Sequence, residues 1–133
     1  MICVPIVSET TDKAIEDMNK AGRLADLIEV RADYIKNPDL KKILSAREKP
    51  VIITIMPKRE NGNFKGTEGE RIALLKQAIE LGADYIDVNL DCTELNNLIK
   101  NRGATKVIVS HHNFEETPSD LEKIYEKIKC IAD

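Results

Sequence analysis

The chain has 133 residues, the length of one domain with a single core. Hydrophobic residues make up 42% and charged residues 32%, which excludes a disordered chain. Lys plus Arg number 20 against 23 Asp plus Glu, a net charge of −3, without the basic excess that a phosphate backbone demands, and no apolar stretch approaches the ~20 residues a bilayer requires.

From the N-terminus, β-branched runs alternate with amphipathic segments. Residues 2–7 predict a first strand. A helix over 11–21 follows, capped by Thr10-Thr11-Asp12 and stopped at Gly22. A second strand at 27–31 precedes a short helix at 38–46, opened by Asn37-Pro38. The third strand, 51–56, leads to a charged, glycine-containing loop at 57–68 and a helix at 69–81 that ends at Gly82. Strand four at 85–90 precedes a helix at 93–101, and strand five at 106–112 precedes a last helix opened by Pro118-Ser119-Asp120. Five β-α units in succession specify an α/β domain with a parallel sheet. The N-terminus has no basic leader, so a cytoplasmic chain is expected, with neither nucleic acid nor membrane as partner. Cys3, Cys92 and Cys130 have no paired spacing; they predict buried or half-buried thiols, not disulfides or a metal site.

Strand starts recur about every 26 residues, so eight units would need about 208, near the lower end for a (β/α)8 TIM barrel. One expectation is therefore a single partial-barrel domain over 1–133. The other is a complete five-stranded, open, doubly wound sheet, for which this length is ordinary.

A parallel strand buried on both faces is apolar throughout, so polar residues inside these runs are the informative exceptions. Glu29 shares a strand face with Arg31, Thr54 with Met56, Asp87 with Asn89, and Ser110 with His112. One polar face thus recurs on four successive strands near their C-terminal ends, where barrels and open sheets alike place their sites. Taken alone, Glu29 and Arg31 read as an ion pair bridging the sheet. His111 and His112 are the only histidines, and alternation points just one at the polar cluster. The loop at 57–68 reads either as functional or as a solvated connection. It contains no P-loop and no dinucleotide fingerprint.

Four segments together resemble the type I 3-dehydroquinate dehydratases of the shikimate pathway: Glu29-Val30-Arg31-Ala32-Asp33; Ile53-Thr54-Ile55-Met56-Pro57-Lys58-Arg59-Glu60-Asn61-Gly62; Tyr85-Ile86-Asp87-Val88-Asn89-Leu90; and Val109-Ser110-His111-His112-Asn113-Phe114, with Thr117-Pro118 behind. The resemblance implies a (β/α)8 barrel, usually a homodimer, acting as a lyase on 3-dehydroquinate in aromatic amino acid biosynthesis, with no metal and no other cofactor. In that family a strand-six lysine forms a Schiff base with the substrate ketone. His112 then takes the place of the proton-transfer histidine and Glu60 that of the glutamate supporting it. Glu29 and Arg31 match the pair that binds the substrate hydroxyls.

The chain departs from the family at Met56, where an arginine is expected, at Asn89, where an acid is expected, and at Asn113, where an aspartate is expected. The sequence ends at Asp133, ahead of the place where the family carries its Schiff-base lysine and carboxylate-binding arginine. The first expectation is an enzyme segment without that lysine, inactive alone and needing a complementing C-terminal segment or a second copy. The alternative is a catalytically silent binding or assembly module of the same descent. A phosphoacceptor receiver-like domain fits worst, because Ser8-Glu9, Met56 and His112 stand where that class carries its acidic pair, aspartate and lysine.

Overall fold

The computed structural model describes residues 1–132. In chain order it contains β1 (Cys3–Ile6), α1 (Thr11–Ala21), β2 (Leu27–Arg31), a 3-10 turn (Ala32–Tyr34), α2 (Leu40–Ser45), β3 (Val51–Thr54), a second 3-10 turn (Lys58–Glu60), α3 (Glu68–Glu80), β4 (Tyr85–Asn89), α4 (Leu95–Lys100), β5 (Lys106–Ser110) and α5 (Leu121–Ala132). The strands form one sheet in the order β1-β2-β3-β4-β5, each pair parallel.

That order decides between the two architectures. A doubly wound sheet reverses its winding at a switch point, so its strand order cannot run straight through. Here it does, and right-handed crossovers then put every helix on the same face, as in a barrel wall. The open doubly wound alternative is thereby corrected, and with it the receiver-like reading, which needs the same reversal.

Local chemistry sets the ends of the elements. The Thr10 hydroxyl accepts from the Lys13 amide and the Asp39 carboxylate from the Lys42 amide, starting α1 and α2. Thr67 and Glu70 form a reciprocal capping box at α3. After α3, Gly82 turns the chain at φ 72°, a left-handed conformation that costs glycine little.

Strand alternation then sorts the residues. Ile28, Val30, Val51, Ile53, Ile86 and Val88 are buried in one cluster with Met18, Ile43, Leu75 and Leu98 of the helices. The opposite face carries Glu29, Thr54, Asp87, Asn89 and Ser110. Of the three cysteines only Cys92 is buried, while Cys3 and Cys130 are exposed, since β1 and α5 lie at the two margins of the wall. Among the described residues no helix is long and apolar enough to cross a membrane.

Candidate active site

From the middle of β2, Glu29 accepts a 2.7 Å hydrogen bond from the Thr54 hydroxyl at the end of β3. On β4, Asp87 accepts one of 2.6 Å from the Ser110 hydroxyl on β5. Burial pushes the Asp87 carboxyl above its ordinary range, against the opposing pull of the Ser110 bond, with Glu29 and Glu60 adding repulsion and His112 attraction. These carboxylates and the histidine therefore share one field at one end of the sheet.

Arg31 does not pair with Glu29, contrary to the bridging ion pair expected from their spacing. The 3-10 turn directly after β2 folds Asp33 back, and its carboxylate takes Arg31 Nε at 2.8 Å and Nη2 at 2.7 Å. This pairing pushes the guanidinium pKa further up. The Arg31 guanidinium also lies 5.1 Å from the centre of the Tyr34 ring. Asp33 accepts a third bond, from the Asn63 backbone amide at 2.9 Å, and so ties the loop after β3 to β2.

That loop is more ordered than its composition implies. A 3-10 turn at Lys58–Glu60 and a bridge between Pro57 and Phe64 fold it onto the end of the sheet. Glu60 is consequently buried, at 8% exposure. Its Oε2 meets His112 Nδ1 at 2.9 Å and accepts a short bond from Asn89 Nδ2. His112 lies two residues beyond the end of β5, and its ring stacks on Phe114 with centroids 6.0 Å apart. His111 is exposed.

Met56 is buried at 7% exposure, its sulfur 3.4 Å from Asn89 Nδ2. Arg59 does not take over the place of the expected arginine. It forms a two-point pair with Asp91, at 2.7 and 3.0 Å, and reaches Glu68 at 3.3 Å. Asn113 also turns away: its Oδ1 accepts from the backbone amides of Glu115 and Glu116.

Sequence reasoning missed Arg71. It is fully buried on α3, paired with Glu68 at 2.9 and 2.7 Å, and donates to Asn89 Oδ1 at 3.1 Å. The available signal is positional, because Arg71 shares a helix stripe with Leu75 and Ala78, both core residues, at the spacing of one helix face. A hollow of about 970 Å³ lies elsewhere, between the turn after β2 and α3. Neither Glu60 nor His112 lines it. Among the described residues no three His, Cys, Asp or Glu side chains converge as a metal site.

A family model described as type I 3-dehydroquinase matches residues 2–133. The 3-dehydroquinate dehydratase of Methanocaldococcus jannaschii is 38% identical over 100% of this chain, which covers 63% of that protein. The bifunctional 3-dehydroquinate dehydratase/shikimate dehydrogenase of Arabidopsis thaliana is 43% identical over 97% of the chain and 23% of its own length. The solved structure of 3-dehydroquinate dehydratase from Enterococcus faecalis superposes with a TM-score of 0.85 at 25% identity, covering 97% of this chain and 61% of that one. The chain thus spans less than two thirds of the length of these relatives.

Proposed function

This chain belongs to the type I 3-dehydroquinase family, and from that premise we propose that its residues form the proton-transfer half of a 3-dehydroquinate dehydratase site. The observation that carries the reading is the contact of Glu60 Oε2 with His112 Nδ1 at 2.9 Å. It leaves the second ring nitrogen free for substrate, at the end of the sheet where barrel enzymes do their chemistry.

In this reading a lysine from outside these residues condenses with the substrate ketone and releases water. His112 Nε2 takes a proton from the carbon beside the imine, and the electron pair moves into the imine. The same proton then leaves with the departing hydroxyl as water, so the histidine ends as it began. Hydrolysis frees the lysine. Glu60 orients the ring, and Glu29 and Arg31 hold substrate hydroxyls. The chemistry needs no metal or other cofactor and is assigned to the cytoplasm.

The amine and its covering segment come from a complementing C-terminal segment. Two features support this. Among the described residues no lysine forms a hydrogen bond or ion pair with Glu29, Glu60, Asp87 or His112. Phe114, Leu121 and Tyr125, beyond the β5 margin, are all more than half exposed, an apolar surface suited to further packing.

The test mixes this chain with a polypeptide carrying the last three βα units of a relative. Turnover of 3-dehydroquinate is expected only in the mixture, lost with His112→Ala, with borohydride trapping substrate on a lysine of the added piece. Turnover by this chain alone, with an adduct on its own lysine, overturns the division of labour. A stable complex without turnover overturns the enzymatic reading and leaves the silent binding module, which the buried Met56 thioether in place of an arginine favours.

A further inference from the structure

Beyond the Glu60–His112 contact, a buried line of polar groups runs back from Glu60 into the helix layer. Arg71 has only N–H donors. Its Nη1 donates to Asn89 Oδ1 at 3.1 Å and to the Ile55 carbonyl at 3.2 Å. The end of the Asn89 side chain that faces Arg71 must therefore be the oxygen. A flipped amide would set NH2 against the guanidinium and oxygen against the Glu60 carboxylate. With that flip excluded, Nδ2 faces the loop and donates to Glu60 Oε2. Asn89 is 1% exposed and Arg71 fully buried, so water does not compete for either end.

Oε2 is the same oxygen that His112 Nδ1 meets. As a carboxylate oxygen it accepts from the ring, which leaves the imidazole proton on Nδ1 and the lone pair on Nε2, and the Asn89 amide fixes where that oxygen sits. We infer that Arg71 and Asn89 are positioning residues that hold Glu60 Oε2 against the ring and so maintain the tautomer of His112: the buried guanidinium fixes the amide, the amide fixes the carboxylate and the carboxylate fixes the ring. This explains the asparagine at 89. An ionised acid there accepts from Arg71 but cannot donate to Glu60; an amide does both. The charged groups facing His112 are Glu60 from the loop and Asp87 from β4, which also feels Glu29 of β2. Arg71 reaches the ring only through Asn89. The inference rests on the reading of His112 as the base, and extends it to a helix residue outside the strand-end motifs.

The test is NMR of the uniformly 15N-labelled chain at a pH where His112 is neutral. The ring of the parent chain is expected to show a protonated Nδ1 and a bare Nε2, and the Asn89 side-chain amide protons to exchange slowly with solvent. Asn89→Leu, of similar size, is expected to abolish the tautomer preference while the amide spectrum of β1 to β3 stays in place. A purely structural role for Asn89 would change stability without moving the ring proton. Retention of the Nδ1–H form in folded Asn89→Leu overturns the proposal. An Nε2–H form in the parent chain, or fast-exchanging Asn89 amide protons, overturns it without any variant. None of these signals depends on turnover, so failure of the dehydratase reading in the complementation assay is separately visible.

Discussion

Asp33 holds Arg31 by both Nε and Nη2, at 2.8 and 2.7 Å, while accepting the Asn63 amide at 2.9 Å. One fully buried carboxylate thereby joins the end of β2 to the loop that carries Glu60. Asp33→Asn keeps the shape but presents an NH2 group to at least one of these donors. The expected cost is about 2 kcal/mol, the scale of losing a hydrogen bond to a charged group. Urea unfolding measures it, and a loss below about 0.5 kcal/mol, the scatter of neutral surface changes, would refute the clamp.

The Arg31–Asp33 pair also shows what can and cannot be read from sequence. The polar interior face is legible because parallel strands buried on both sides tolerate Glu29, Thr54, Asp87 and Ser110 only with partners, and period-two spacing puts all four on one face. The partners are less legible. Glu29 is satisfied by Thr54 on the next strand and Arg31 by a residue two further on, because a 3-10 turn begins at Ala32. Nothing in residue spacing announces that turn. The pairing of Glu60 with His112, across 52 positions, came from the family resemblance and not from periodicity. Arg71 stayed hidden because an arginine near a helix N-terminus reads as solvated until the structure shows it in the core.

Gly62 has no room for a side chain. A Cβ there would lie 2.0 Å from the Met56 carbonyl oxygen and 2.3 Å from its carbon, a clash with backbone that no rotamer relieves. Gly62→Ala should therefore cost about 3 kcal/mol, the upper end for overpacking, and displace the adjacent Glu60. Thermal unfolding together with the His112 ring signals checks both effects. Unchanged ring signals alongside a large stability loss would separate the glycine from the site.

Arg59 links the loop to Asp91 on the next βα connection and to Glu68 at the start of α3. The pairing pushes its pKa upward, yet the side chain is 41% exposed, so solvent screening limits its global contribution to about 0.5 kcal/mol. Arg59→Ala should leave the urea midpoint nearly unchanged and speed amide exchange at residues 58–64 alone. A uniform rise in exchange across the sheet would mean that the latch supports the whole fold.

Asp87 carries the clearest pH signature. Burial raises its carboxyl pKa above the ordinary 3.8, and the Ser110 bond only partly opposes this. The folded chain thus binds this proton more tightly than the unfolded chain does. The stability from this group is complete below pH 3.8 and is lost as pH rises through the folded value. Glu68 and Asp91, held low chiefly by hydrogen bonds from Arg71 and Arg59, act oppositely and lose their contribution on acidification. Asp87→Asn keeps an oxygen to accept from Ser110 and removes only the charge. It should match the parent chain at about pH 3 and exceed it in urea midpoint at about pH 7, with an unchanged m-value. In the complemented enzyme the same variant removes a negative charge that faces His112, so its stability gain should come with altered pH dependence of turnover. A variant less stable than the parent at neutral pH would show that the Asp87 charge is held by partners stronger than the Ser110 hydroxyl.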